Sequence, residues 1–402
     1  MVPVLIGAAS LGMGVGVIFP LLAEFQDRYG FSDRGLGMLS AASFGAALVA
    51  GLFLARLADR GHARLLMVGG VALSSAGLLW FSVGTELWQF TTARLLEGLG
   101  YGIFLPAARK IVTTGDEATG GARLGRLTSA ELAGFLAGPV IGSLLSEAFE
   151  LWVPLVVIGV VQAGIAIRLV TVRLPELAVV SEQSSDSGES GGGTVSGTVG
   201  SAGSMFSSFR LLQRGSVSGA ALLSLTIFLP VGVYDALWSR YLTDQGASTL
   251  FIGIGLSLYS IPIVVLAPSG GRLADRLGPV RATTFAVCCI IPATFVYGLV
   301  SAPVLITLVG LLESLPQSVA TPAVQTAMLR ACRPDEVAAG QGVAHAVNQV
   351  GAGTAALLGP IIYGAAGATV LFGALAAAMV VLFMAGLAMH RRGGGDAIAT
   401  LS

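Results

Sequence analysis

The sequence predicts an all-α membrane protein of twelve spanning helices, arranged as two pseudo-symmetric bundles of six. Three observations predict it. Apolar runs of about 20 residues, the length that crosses a bilayer as a helix, recur along the whole chain. One Ser/Gly-rich stretch separates six of these runs from the other six. A short hydrophilic sequence in the first half returns in the second.

Composition sets the class. Of 402 residues, 54% are hydrophobic and only 11% are charged. A soluble domain carries about 25% charged residues, so most of this surface cannot face water. The formal net charge is zero, which leaves no basic field for a nucleic acid. Cys288 and Cys289 are adjacent within an apolar run, and Cys332 stands apart. No metal-ligand spacing appears, so all three read as packing residues, and neither metal nor cofactor is expected.

In hydrocarbon every backbone N–H and C=O must be satisfied within its own segment, so the long apolar runs must be helices. The first six fall at 2–23, 37–57, 65–84, 88–112, 124–147 and 151–171. The first begins at Val2 with no basic stretch before it and no small-residue cleavage site after it, and reads as a retained spanning helix. The last six fall at 216–237, 249–272, 281–300, 302–328, 337–364 and 366–388. Runs five and eleven are Gly-rich, as membrane helices tolerate. Residues 181–204 are Ser/Gly-rich and cannot bury a core, which predicts a flexible linker. The expected organisation is a bundle over 1–175, a cytoplasmic linker over 176–214, a second bundle over 215–390 and a cytoplasmic tail over 391–402.

Arginine placement orients the chain. With both termini cytoplasmic, that side of the membrane holds 18 Lys and Arg residues against 3 on the other. An odd number of spans would scramble this bias, so it supports twelve independently. The expected location is the cell membrane, as a multi-pass monomer.

The sequence ARLADR at 55–60 returns as GRLADR at 271–276. The same offset carries Glu97 onto Glu313 and Pro106 onto Pro322, and Gly138-Pro139 returns as Gly359-Pro360. Ordered matches at nearly constant spacing indicate two homologous halves, the construction of many transporters, whose solute site lies between the halves. These residues resemble the major facilitator superfamily over essentially the whole chain. Its loop motif after helix 2 runs Gly-x-Leu-Ala-Asp-Arg-x-Gly-Arg-Lys. The copy from Gly271 to Gly278 fits it, while the first copy has Ala55 and His62 in place of the two glycines. The resemblance implies the major facilitator fold. Asp59, Arg60 and Arg64, with Asp275, Arg276 and Arg281, are candidates for a cytoplasmic gate. A carboxylate at a helix end there can favour a neighbouring helix N-terminus and pair with arginine, latching the halves in one state. Positive-inside anchoring is the plainer reading of the arginines, but it gives no role to the acids.

Helix 5 contains Gly125, then eight residues, Gly134, three residues, Gly138-Pro139, two residues, and Gly142-Ser143. This resembles the G-x8-G-x3-G-P-x2-G-G motif of drug/proton antiporters, departing only at Ser143. Small residues let membrane helices approach closely, and Pro139 can bend the helix. With Gly359 and Pro360 as the repeat mates, these are candidate packing positions, and the resemblance points to export.

A charge in the bilayer centre costs about 2.5–3.5 kcal/mol on insertion scales, so intramembrane ionisable residues are candidates for function. Arg94 and Glu97 are three apart on helix 4 and can pair on one face. The run Arg94 to Gly100 resembles the family's Arg-x-x-Gln-Gly-x-Gly motif, whose Arg is associated with proton movement. Here Glu97 stands in place of Gln. Glu131 lies in the middle third of helix 5, where a buried carboxyl is suited to bind and release protons. Glu313 has Gly310 where its repeat mate has Arg94, and an acid buried without a cation is a proton-carrier candidate. Asp235 lies near the outer end of helix 7, beside Tyr234 and Trp238, and an interfacial position is the plain reading. His345 and Asn348 on helix 11 are three apart and are candidates to line the cavity. Helix 1 carries no charge over its apolar run, which suggests a largely apolar cavity.

The leading expectation is a secondary transporter that moves a small, amphipathic solute out of the cell by alternating access, in exchange for protons. The alternative is proton-coupled uptake of an organic acid or other metabolite. Enzyme signatures such as H-E-x-x-H, G-x-S-x-G and the P-loop are missing, which argues against an enzyme and a primary pump.

Overall fold

A computed structural model describes residues 1–54, 62–113, 117–171, 209–333 and 336–399. Every regular element among them is helical. The first half holds α1 (Val2–Tyr29), α2 (Asp33–Leu54) and α3 (Ala63–Val83), then α4 (Leu87–Thr113), α5 (Glu117–Ala148) and α6 (Val153–Thr171). The second holds α7 (Gly215–Asp244), α8 (Thr249–Leu277), α9 (Pro279–Tyr297) and α10 (Pro303–Ala331). A continuous helical run, Val337–Ala399, breaks at Gly367, giving α11 (337–366) and α12 (368–399). Gly367 has φ 82°, a backbone that only glycine adopts without strain, and so one residue turns the chain back across the membrane. The expected twelve helices are present.

Their ends differ from the apolar runs for a simple reason. Hydropathy follows the hydrocarbon thickness, whereas a helix continues while its own side chains support it. The sequence predicts that helix 7 ends at 237, yet α7 runs to Asp244. There Arg240 Nε donates to Asp244 Oδ1 at 2.8 Å, a one-turn pair that stabilises the emergent end. At α1 a turn of 3-10 helix at Phe19–Leu21 accommodates Pro20, and the helix resumes to Tyr29. The run predicted at 88–112 is α4, which is helical throughout although it carries Arg94, Glu97, Arg109 and Lys110.

Each half has its own core. Val4, Leu11, Met67, Phe104 and Leu169 pack at one end of the first half, and Leu22, Phe25, Phe81 and Phe90 at the other. In the second half Leu223, Tyr241, Ile290, Tyr297 and Phe372 form the main cluster. None of these buried apolar clusters draws from both halves. Cys288 and Cys289 correct the expectation of packing residues: both are exposed on α9, outside the core.

The glycine motif of α5 sets the closest approach within the first half. A Cβ on Gly134 would stand 1.8 Å from the carbonyl oxygen of Ala9 on α1, and one on Gly138 would stand 2.7 Å from that of Met13. Gly142 meets Val17 in the same way. The seam repeats in the second half, where a Cβ on Gly232 of α7 would meet the Ala352 carbonyl oxygen of α11 at 1.9 Å. Gly359 is looser, 3.4 Å from Val233, and Gly125 meets nothing within 4 Å. Gly125 is thus not a packing position in this structure. Ser143, the departure from the glycine pattern, touches Gly253 on α8 and so packs across the halves.

This geometry predicts opposite outcomes along one motif. Gly134→Ala overpacks the α1–α5 seam and costs about 1–3 kcal/mol, whereas Gly125→Ala is neutral. Thermal unfolding in detergent checks this, with a lowered Tm for the first variant and an unchanged Tm for the second.

Candidate functional site

A cavity of ≈200 Å³ lies between the halves. Phe19, Phe135 and Pro139 of α1 and α5 wall one side. Tyr234 and Trp238 of α7, Tyr259 of α8 and Tyr297 of α9 wall the other. Among the described residues no charged side chain lines it, as the uncharged apolar run of the first helix suggested. Trp238 meets Tyr297 edge to face at 5.0 Å and Tyr234 at 5.2 Å, which holds the aromatic wall in place.

Glu313 sits immediately behind that wall. It is 2% exposed and accepts hydrogen bonds from Tyr297 and from Tyr234, the latter at 3.3 Å. Both tyrosines line the cavity, so the carboxyl communicates with it through their hydroxyls. Gly310 and Gln317, on the same face of α10, line the cavity directly.

Arg94 and Glu97 pair as their spacing predicts. Arg94 Nη1 donates to Glu97 Oε2 at 2.6 Å. The same guanidinium reaches the other half: Nη2 donates to Asp235 at 3.0 and 3.2 Å. Asp235 is 4% exposed, which corrects its interfacial reading. It is one end of a buried bridge between α4 and α7. Around it, toward the end that carries few arginines, further contacts join the halves. Ser239 Oγ donates to the Pro20 carbonyl at 2.8 Å and accepts from the Ala23 N–H at 3.3 Å. Arg240 pairs with Asp27, and Thr249 donates to Glu24 at 3.1 Å.

Nearer the arginine-rich end lies a second polar group. Glu131 on α5 accepts a hydrogen bond from Tyr101 on α4. Arg109, two turns further along α4, acts electrostatically on both Glu131 and His345. His345 on α11 stands beside Gly51 of α2, across the halves. Asn348 does not join it. It is buried and donates to Ser224 of α7 at 2.9 Å, so it braces the second half and does not line the cavity.

The expected gate residues are scattered. Asp59 and Arg60 lie outside the described residues. Arg64 donates to the Val170 carbonyl at the end of α6, within its own half. Asp275 stands 3.8 Å from Arg330 of α10, also within its half, with both side chains more than half exposed. Arg276 is exposed, and Arg281 lines a surface groove with His390 and Arg391. In this state these residues form no described latch across the halves.

Sequence reasoning missed the tyrosines, Ser239 and Arg109. For α4 the signal was present: Arg94, Glu97, Tyr101 and Arg109 follow helical spacing down one face. The tyrosines carry no such signal, since an aromatic residue in a membrane helix is ordinary.

Removing the cation from the bridge strands two buried acids. Arg94→Met is expected to cost about 3–5 kcal/mol, seen as a sharp loss of Tm. Adding Asp235→Asn and Glu97→Gln recovers most of that loss. Equal instability of the single and triple variants contradicts this account of the bridge.

Comparison with known proteins agrees with this architecture. The family model described as Major Facilitator Superfamily matches residues 4–237 and 220–395. The multidrug resistance protein MdtG of Enterobacter lignolyticus (strain SCF1) is 25% identical, with 96% of this chain and 91% of that protein covered. MdtG of Serratia proteamaculans (strain 568) is 26% identical, with 94% and 90% covered. Among solved structures, a bacterial homologue of the human lysosomal transporter Spinster, inward-facing and unoccupied, superposes with a TM-score of 0.76 at 15% identity, covering 98% of this chain and 95% of that one. The nucleoside transporter NupG superposes at 0.74 with 16% identity, covering 96% and 98%. The chain therefore belongs to the major facilitator superfamily and is a multi-pass secondary transporter.

Proposed function

We propose that this transporter exports small amphipathic molecules in exchange for protons, working as a monomer with both termini in the cytoplasm. The carrying observation is the aromatic, uncharged cavity between the halves, with a tyrosine-bonded acid in each half: half-buried Glu131 with Tyr101, and buried Glu313 with Tyr297 and Tyr234. An apolar aromatic chamber suits lipophilic cargo and offers no fixed charge to clamp a sugar or a phosphate. The name of the MdtG relatives, multidrug resistance protein, supports the same direction.

In this reading the arginine-rich end is cytoplasmic, by the positive-inside rule. The described polar contacts between the halves gather at the opposite end, so the state is inward-facing. The halves, 1–175 and 215–390 joined through 176–214, rock about the cavity to expose it alternately to each side. Glu131 lies toward the cytoplasmic end, where it can exchange a proton with that side. Glu313 is placed to feel the cargo through Tyr234 and Tyr297. Arg109 is an electrostatic neighbour of both Glu131 and His345. Asp275, Arg276, Arg281 and Arg64, with Asp59 and Arg60, are proposed to act at the cytoplasmic end when it closes in the alternate state.

Inverted vesicles loaded with a lipophilic fluorescent dye under an imposed pH gradient test the reading. Gradient-driven accumulation of dye in these vesicles is expected for export, and gradient-driven loss indicates uptake instead. Glu131→Gln or Glu313→Gln is expected to abolish the gradient-driven component while expression and folding persist. Normal flux from both variants at every pH removes the coupling role of these acids.

A further inference from the structure

The buried bridge has a charge count that does not balance. Arg94 brings one positive charge, while Glu97 and Asp235 bring two carboxyl groups, and all three are at most 4% exposed. With both acids ionised, the closed trio holds one negative charge in excess. Among the described residues neither Glu97 Oε1 nor Arg94 Nε has a hydrogen-bond partner, so no donor outside the trio compensates that charge. The electrostatic partners of Arg94 and Glu97 are confined to the trio. The described contacts of α2 and α3 at this stretch of α4 are uncharged: Ser43 at Gly98 and Gly77 at Glu97. On α7 the neighbouring Tyr234 turns to Glu313, and Arg240 is engaged by Asp27 and Asp244 at the surface.

Connectivity makes the trio asymmetric. Glu97 is one turn from Arg94 on the same helix and stays with it however the halves move. Asp235 belongs to the other half and must part from Arg94 when the halves separate at this end. We infer that the Arg94–Asp235 contact is a proton-loaded clasp: closing the halves at the end opposite the arginine-rich face takes up one proton onto the Glu97–Asp235 pair, and opening releases it. On closure a carboxylate oxygen of the pair forms an O–H bond with a proton from water at that end, which leaves the sealed trio neutral. On opening that bond breaks, the proton returns to the same water, and Arg94 remains neutralised by Glu97 while Asp235 is hydrated. Burial of an unbalanced charge is what ties the two events together. This deepens the alternating-access reading above and rests on it. Proton binding from the outer side would then drive the return to the inward-facing state, the direction an exporter needs.

The two isosteric neutralisations should act oppositely on the clasp. Glu97→Gln makes the trio neutral without a proton and keeps the charged Arg94–Asp235 link, so it favours closure. Asp235→Asn leaves Arg94 satisfied by Glu97 alone and weakens the link, so it favours opening. Spin labels at Glu86→Cys and Ser301→Cys, both exposed in connections at this end, report the separation by pulsed electron resonance, with the three native cysteines replaced. A second pair, Arg168→Cys and Leu277→Cys, reports the other end.

The unsubstituted trio is expected to shift from closed to open as pH rises. Glu97→Gln should stay closed at alkaline pH and lose about tenfold per pH unit from the open-to-closed ratio, the slope of one proton. Asp235→Asn should be more open than the parent at acid pH. A Glu97→Gln chain that keeps the parent's slope, or an Asp235→Asn chain that closes more tightly, overturns the clasp. If neither label pair changes distance under any condition, alternating access itself fails, an outcome distinct from a moving chain whose distances ignore Glu97.

Discussion

Hydrocarbon offers no water to a polar group, and the rest of this structure follows from that constraint. The backbone answers it with helices, which satisfy their own N–H and C=O groups. The side chains answer it with each other. Arg94 is among the largest fully buried side chains, and it is tolerable there because the carboxyl groups of Glu97 and Asp235 meet it. Glu313 has no cation and takes two tyrosine hydroxyls instead. Gln162, deep in the first half, donates to the Ser10 carbonyl of α1 at 2.7 Å. Arg94, Glu313 and Gln162 thus each fix one helix against another, whereas buried hydroxyls such as Thr226 and Thr294 return to a carbonyl of their own helix.

The same constraint separates rigid contacts from mobile ones. Within a half, glycine seams bring backbones so close that an added methyl group has no room, as at Gly134 and Gly232. Such seams have many dispersion contacts and hold the helices of each half together. Between the halves, the described polar links gather at one end and are few. Ser257 donates to the Leu136 carbonyl at 2.7 Å midway along α5 and α8, and the rest lie beyond it. The boundary also carries close glycine contacts, Gly37 of α2 on the Leu357 carbonyl of α11 and Gly253 of α8 on the Pro139 carbonyl of α5, but none of the buried apolar clusters spans it.

The fold was legible because the bilayer imposes a long, repetitive signal on sequence. Each span needs about 20 apolar residues, and the duplicated motif Asp59-Arg60 and Asp275-Arg276 exposes the internal repeat. The site was legible only where a residue contradicts its setting. Arg94, Glu97, Glu131 and Glu313 declare themselves because charge in a membrane is costly. Their partners do not. Spacing gives the Arg94–Glu97 pair on one helix, but nothing in one dimension says that Asp235, 141 positions away, completes it. Asn348 shows the converse: it shares a helix with His345, yet three residues turn it from the cleft toward Ser224. Cavity walls of Phe, Tyr and Trp are silent because the same residues also fill cores.

One turn and a half of α7 gathers these threads. Tyr234 binds Glu313 and lines the cavity, Asp235 crosses to Arg94, Trp238 walls the cavity, and Ser239 bonds twice to α1. These residues ride on one helical segment, so they cannot adjust independently. In the proposed cycle, cargo that presses on Tyr234 or Trp238 acts on the same backbone that holds Asp235 in place. A rotation that frees Tyr234 from Glu313 therefore also strains the contact between the halves. The proposed coupling of cavity to clasp needs no relay through distant residues. It follows from four side chains with four different partners sharing one stiff rod.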